Sequence, residues 1–312
     1  VRTARDYFLL YLKGVGMGGA DVIPGVSGGT VAFISGIYDE LIDSIKSIDA
    51  TALKLLLSFK IKECWAAVNG NFLIAVLAGI ATSILSLAKL MTFLLEHHPI
   101  PVWSFFFGLI LVSSPLILRD IKSWSVTTAL FGLLGVGLAF VITILTPTTT
   151  PDNLFFIFFC GAVAICAMIL PGISGAFILL LIGKYEYMIS ALTSFNFPVI
   201  IVFVLGCLIG LISFSHFLSW LLHHYRYPAL ALLAGFMVGS LNKVWPWKEV
   251  LAYRINSAGQ QVPAFDQSIG PWNYLEKTGN NPLIFQAILF AALGIFLVVA
   301  LEKIALSLKS KK

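Results

Sequence analysis

At residues 21–30 the chain reads DVIPGVSGGT, and at 168–177 it reads MILPGISGAF. Each stretch lies within a long apolar run, and each carries Pro-Gly, an apolar residue and then Ser-Gly. Pro and Gly are the residues a helix interior tolerates least. Each stretch therefore marks a point where an otherwise membrane-grade helix stops and starts again. The surrounding composition sets the class. Of 312 residues, 59% are hydrophobic and 11% charged, against about 25% charged in a soluble domain. Runs able to cross the ~30 Å hydrocarbon core of a bilayer recur along the chain. They fall at 14–37, 72–95, 102–118, 126–146, 154–183, 197–222, 228–241 and 283–306. The expected fold class is an all-α polytopic membrane protein with no separate soluble domain.

Sliding the chain by 147 residues places Gly14 on Gly161, Ala20 on Ala167, Pro24-Gly25 on Pro171-Gly172 and Ser27-Gly28 on Ser174-Gly175. The same slide pairs Gly36 with Gly183, Tyr38 with Tyr185 and Asp39 with Glu186. A slide of 127 aligns Gly79 with Gly206, His97 with His224, Pro101 with Pro228 and Gly108 with Gly235. The 20-residue difference is an insertion in the first half, where TALKLLLSFKIKECW reads as an amphipathic helix lying at the membrane interface. Two homologous halves follow. Residues 1–146 hold a broken segment at 14–37, the interfacial insertion at 46–65 and three transmembrane helices. Residues 147–312 hold a broken segment at 154–183, three transmembrane helices and an outer loop at 242–282.

Charge decides how the halves are oriented. If the broken segments are re-entrant hairpins, each half crosses the membrane three times and the halves are inverted. Placing the Lys-rich C-terminus inside then puts Arg2, Arg5, Lys13, the Lys46–Lys62 stretch, Arg119, Lys122 and Arg226 inside as well, as the positive-inside rule demands. With eight full crossings, either the N-terminus or the basic 38–71 stretch would face outside. Inverted repeats with both termini cytoplasmic are therefore expected, with hairpin arms of about ten residues, or roughly 15 Å, meeting near the midplane.

Irregular backbone at membrane depth persists only when buried in protein or lining a polar cavity. In each motif, Pro24-Gly25 or Pro171-Gly172 ends the inward arm, and Ser-Gly begins the outward one. That leaves N–H donors around Ser27, Gly28, Gly29 and Thr30, and around Ser174 and Gly175, with small side chains that let an anion approach. Inverted repeats with broken helices at the midplane are a hallmark of secondary transporters. The competing explanation is that these glycines only allow close helix packing.

The paired motifs PGVSGGT (24–30) and LPGISGAFILLLIGKYE (170–186) resemble those of the PopT-type polyprenyl-phosphate (undecaprenyl-phosphate) translocase family, and the resemblance extends over essentially the whole chain. It implies a flippase of the prokaryotic cytoplasmic (inner) membrane. Such a protein returns undecaprenyl phosphate from the outer to the inner leaflet for reuse in envelope synthesis, including peptidoglycan. The resemblance carries no residue-level assignments, so candidate residues rest on their chemistry.

Ionisable residues inside membrane segments are costly and usually paired or functional. Lys89 and His216 fall at the same position of the two halves under the slide of 127, and together they could hold a phosphate. Snorkelling of Lys89 to the headgroups is the alternative. Asp21, just before the first Pro-Gly, is a candidate for coupling a proton or sodium ion, as are Asp39 and Glu186 where the hairpins exit. Arg119 and Arg226 read as topology anchors.

Cys64, Cys160, Cys166 and Cys207 show no metal-ligand spacing, and adjacent histidines at 97–98 and 223–224 seldom converge on a metal. The sequence calls for no metal, no cofactor, no catalytic residue and no nucleic-acid partner, its one dense basic run being Lys309–Lys312. VRTARDYFLLYLKG does not read as a cleavable signal peptide, because its apolar core is too short. There is no G-x-x-x-x-G-K-[ST] nucleotide loop. Energy for transport would come from a proton or sodium gradient or from consumption of the carrier inside. A small-anion transporter or channel, and an intramembrane enzyme acting on a lipid phosphate, are the alternatives. A lateral opening for a polyprenyl tail would distinguish the lipid reading from the first of these.

Overall fold

Helices begin and end where the sequence supplies the signals. The computed structural model describes residues 2–21, 27–145, 150–255 and 261–309. Its first half runs α1 (Ala4–Asp21), α2 (Gly28–Ile34), α3 (Tyr38–Lys46), α4 (Ala50–Leu57), α5 (Ile61–Ala67), α6 (Gly70–His97), α7 (Pro99–Leu118) and α8 (Val126–Ile144). The second half runs α9 (Leu154–Ile169), α10 (Gly175–Leu181), α11 (Tyr185–Thr193), α12 (Phe197–His224) and α13 (Arg226–Ser240). It continues through β1 (Lys248–Ile255), β2 (Gln261–Ser268), α14 (Pro271–Thr278) and α15 (Ile284–Lys309). Ser27, Ser125, Asn153 and Ser174 cap α2, α8, α9 and α10 by accepting backbone N–H groups of the first turn.

Among the described residues, three helices are long and apolar enough to cross a membrane: α7, α8 and α12. The number rises to five if two bent helix pairs each count as one span. The protein is thus a mostly helical, multi-pass membrane protein. α6 and α12 are each 28 residues long, about 42 Å at 1.5 Å per residue. A single residue separates each from the helix that follows, His98 before α7 and Tyr225 before α13. Pro101 and Pro228 then fall in the first turn of α7 and α13, where a missing N–H costs nothing.

Four helix pairs make the frame: α1 with α6, α9 with α12, α7 with α15 and α8 with α13. Glycine lets them close. A Cβ on Gly14 would strike the carbonyl oxygen of Val76, and one on Gly79 that of Tyr11. Gly161 and Gly206 stand in the same relation to Phe203 and Phe158 across α9 and α12. Gly108 and Gly294 pack α7 against α15, and Gly135 and Gly235 pack α8 against α13. In a bilayer, where no hydrophobic effect drives helices together, such backbone approach supplies the packing. Between these pairs lies the main apolar core, with Ile42, Phe72, Val76, Leu218, Ala229 and Leu233 fully enclosed.

Three expectations change. First, the segment 242–282, expected as a loop, contains an antiparallel strand pair with Lys248 opposite Ser268, followed by α14, in a chain that is otherwise helical. Trp247 anchors this unit through Nε1–H to Pro282 O (2.8 Å), and Trp245 through Nε1–H to Ile269 O (2.8 Å). Alternating polar and apolar residues in a mixed stretch gave too weak a pattern to separate strand from loop.

Second, the insertion is two helices, α4 and α5, broken at Phe59 (φ 54°). Leu53, Leu56, Leu57, Phe59 and Ile61 are all exposed there. Third, the helices flanking each motif are unequal. α1 has 18 residues and α2 has 7, while α9 has 16 and α10 has 7. The longer members are about 27 and 24 Å long and the shorter ones about 10 Å. Apolar residues alone do not mark the start of α1, because the charged stretch from Ala4 to Lys13 is already helical.

Candidate functional site

The two Ser-Gly motifs meet. Ser27, fully buried, accepts the N–H of Gly29 (3.1 Å) and shares its own proton between the carbonyls of Met168 (3.0 Å) and Leu170 (3.1 Å). The Tyr38 hydroxyl donates to Ile169 O (3.1 Å). The last turn of α9 leaves carbonyls with no intrahelical partner, and the first half of the molecule supplies their donors. In return, Gly172 N–H donates to Thr30 Oγ1 (2.8 Å). Gly29 lies so close to Ile169 O that a Cβ would not fit, and Gly172 adopts φ 88° against Phe236 O and Ser240 Oγ. These glycines are required by the contact itself. Pro24 and Gly25 lie outside the described residues.

In the first motif, the described first-turn donors of α2 are already engaged. Gly28 N–H donates to Asp21 Oδ1 (2.6 Å), Gly29 N–H to Ser27 Oγ and Thr30 N–H to Ser27 O (3.0 Å). The N–H groups of Gly28, Gly29 and Thr30, three of the four donors expected to receive a phosphate, have protein partners, one of them the carboxylate of Asp21. The second motif differs. Ser174 caps α10 through a long bond from Phe177 N–H (3.5 Å), and Ile178 N–H donates to Ser174 O (3.0 Å). The first-turn N–H groups of Gly175 and Ala176 have no partner among the described residues. Gly175 packs back on Ala164 O, which sets α10 against α9.

A narrow cleft opens beside this second tip. Thr143 of α8, Gly172, Ser174 and Phe177 line it, together with Lys243, which follows α13. The Lys243 ammonium sits 4.4 Å from the centre of the Phe177 ring and 3.1 Å from Asp266 Oδ1. Lys248 approaches the other oxygen of Asp266 (3.6 Å), donates to Lys243 O (2.6 Å) and lies over the Trp103 ring at 4.1 Å. Burial pushes the Lys248 ammonium down to about 8, although Asp266 opposes the shift. Both lysines hold the Asp266 carboxylate below its ordinary range despite its own burial. Neither lysine was legible as a site residue, because each stands in a mixed-charge stretch that reads as loop. The signal available was the shortness of the apolar run at 228–241 just before Lys243.

Other candidates lie elsewhere. The His216 ring is exposed on α12, with Nδ1 2.8 Å from the Ile212 carbonyl of its own helix. The structure does not bring it to the tips, and the side chain of Lys89 lies outside the described residues. Asp39 is ion-paired with Arg226 (3.2 Å). Its neighbour Glu40 takes both guanidinium nitrogens of Arg2 (2.7 and 2.5 Å) and the amide of Asn69 (2.9 Å). Asp43 accepts the Ser219 hydroxyl (2.7 Å), to which Lys46 also donates (3.2 Å). The basic and acidic groups around α3 therefore tie that helix to α12 and α13. Glu186 lies in the first turn of α11.

In comparisons with known proteins, a family model described as VCA0040-like, undecaprenyl phosphate translocase-like, matches residues 17–262. A curated protein of Vibrio cholerae serotype O1, named polyprenyl-phosphate transporter, is 47% identical over 300 residues, covering 96% of this chain and 97% of its own. A Staphylococcus aureus protein of the same name is 34% identical over 253 residues, covering 75% of this chain and 85% of its own. No solved structure matches the chain.

Proposed function

The chain belongs to the undecaprenyl phosphate translocase-like family, and from that premise we propose that it moves a polyprenyl phosphate across the bacterial inner membrane. The direction is from the outer leaflet to the inner one, returning the carrier undecaprenyl phosphate for another round of envelope synthesis. The 47% identity to a named polyprenyl-phosphate transporter along nearly the full length of both chains is the observation that carries this reading.

The headgroup is held at the second tip first, where Ser174 borders the cleft and the N–H groups of Gly175 and Ala176 open α10 just beyond it. The Gly28 donor of the first tip becomes available when Asp21 releases it. Asp21 is also the most suitable carboxylate for a coupling ion, since Asp39 is paired with Arg226. An inverted repeat with re-entrant hairpins fits the matched helix pairs, α1–α6 with α9–α12 and α7–α15 with α8–α13. The fold-back of Gly175 onto Ala164 supports a hairpin that returns to the side it entered. Both termini then lie in the cytoplasm. The protein needs no catalytic residue for this task, because no covalent bond changes.

Reconstituted proteoliposomes test the reading. With polyprenyl phosphate in the outer leaflet, the wild type should transfer it inward, and Ser174→Leu, in protein that still inserts, should abolish transfer. Transfer that persists in both Ser174→Leu and Ser27→Leu would remove the tips from the mechanism. The same assay run with and without a proton or sodium gradient identifies the coupling ion. Movement of inorganic phosphate instead of the lipid would favour the small-anion alternative.

A further inference from the structure

α13 has 15 residues where its counterpart α7 has 20. Its length is about 22 Å, short of the ~30 Å hydrocarbon core. A helix that starts at one membrane surface with Arg226 therefore ends before reaching the other. Lys243, three residues beyond Ser240, begins the outer segment at a depth where an ammonium is costly. Its side chain is only 14% exposed, and three features offset the cost: the Asp266 carboxylate, the face of the Phe177 ring and the cleft that also holds Ser174. Phe177 belongs to the second tip, so the outer β-hairpin and the tip share this one cation.

The charges there do not cancel. Lys243 and Lys248 both face a single carboxylate, leaving one positive charge over among the three groups. Lys248 is held in place by three contacts, to Lys243 O, Asp266 and the Trp103 ring, with its side chain only 10% exposed. Lys243 borders the cleft and can exchange one oxygen anion for another. Lys248 would keep Asp266 neutralised while it does so.

We propose that Lys243 is the headgroup-receiving cation of the outer leaflet. In this role its ammonium passes from Asp266 to the phosphate of an incoming polyprenyl phosphate seated against Ser174. Asp266 competes with that phosphate and allows Lys243 to let go of it again. The assignment rests on the polyprenyl-phosphate reading above and adds to it a residue outside the repeated motifs. It also gives the β-hairpin a purpose: β2 carries Asp266 and β1 carries Lys248, so the unit positions the cation rather than merely covering the helices.

Binding to the purified full-length protein tests this, with farnesyl phosphate, farnesol and inorganic phosphate as probes. In the wild type, farnesyl phosphate should slow acylation of Lys243 by an amine-reactive ester, read by peptide mass spectrometry. Farnesol should not, and Lys277, paired with Glu249 at the surface, serves as the unprotected control. Lys243→Gln should weaken farnesyl phosphate binding about tenfold or more, the loss expected for one charge-assisted hydrogen bond, and leave farnesol binding unchanged. Lys243→Arg should stay within about threefold, and Asp266→Asn should bind farnesyl phosphate several-fold tighter.

A wild type that prefers farnesyl phosphate, with Lys243 acylated at the same rate in its presence, would overturn the assignment and leave the transporter reading standing. That acylation measurement needs no variant to fold. A wild type with no preference for farnesyl phosphate over farnesol would defeat the transporter reading and this assignment together. Equal protection by inorganic phosphate would assign the site to a free anion and overturn the lipid headgroup.

Discussion

Thr30 and Ser27 show how much rests on single oxygen atoms. Thr30→Val keeps the shape of the side chain and strands the buried Gly172 N–H, a loss of about 1–3 kcal/mol. A lowered midpoint of thermal unfolding in detergent is the expected outcome, and an unchanged midpoint would mean that the contact between the motifs carries no stability. Lys248 gives a pH signature. Its value of about 8 in the folded protein lies below its ordinary 10.5, so between those values the unfolded chain binds more protons. Stability should therefore rise with pH through that window. The unfolding midpoint should climb from pH 8 to about 10, and Lys248→Met should flatten the climb. At this scale the sequence was only partly readable. The repeated Ser-Gly pointed to Ser27 and Ser174 because the spacing is local. That Gly28 already donates to Asp21, and that Lys243 borders the cleft, depend on contacts between residues far apart or across a break, which no periodicity encodes.

Each long helix was visible as an apolar run, and the 127-residue register that pairs Gly79 with Gly206 and Gly108 with Gly235 now has a physical basis. These are points where one backbone rests on another. Gly206→Val would push α12 away from α9, with a cost of about 1–3 kcal/mol from overpacking. Because Gly79 occupies the same place between α6 and α1, Gly79→Val should lower the thermal midpoint by a similar amount. Unequal effects would show that the two pairs do not share their load. The outer β-hairpin was missed because its stability comes from Trp245 and Trp247 reaching backbone carbonyls at Ile269 and Pro282. Those partners lie 24 and 35 residues away, and nothing in the local pattern announces them.

For the whole molecule, topology is the property that charge bias foretold and that labelling can check. A cysteine introduced at Lys277 should react with a membrane-impermeant thiol reagent in intact cells, whereas one introduced at Lys62 should react only after permeabilisation. Both reacting in intact cells would break the inverted arrangement. The contact between the motifs has a further consequence. Thr30 offers its hydroxyl oxygen to Gly172 in the other half, but the residue in register with Thr30 is Phe177, which has no oxygen to return. The two copies are thus no longer interchangeable parts. A chain built from two first halves or two second halves would preserve every repeated letter and still fail to assemble the same junction. The two motifs work as unlike partners: Ser27 and Thr30 bring side-chain oxygens to the junction, and residues 168–172 bring backbone groups.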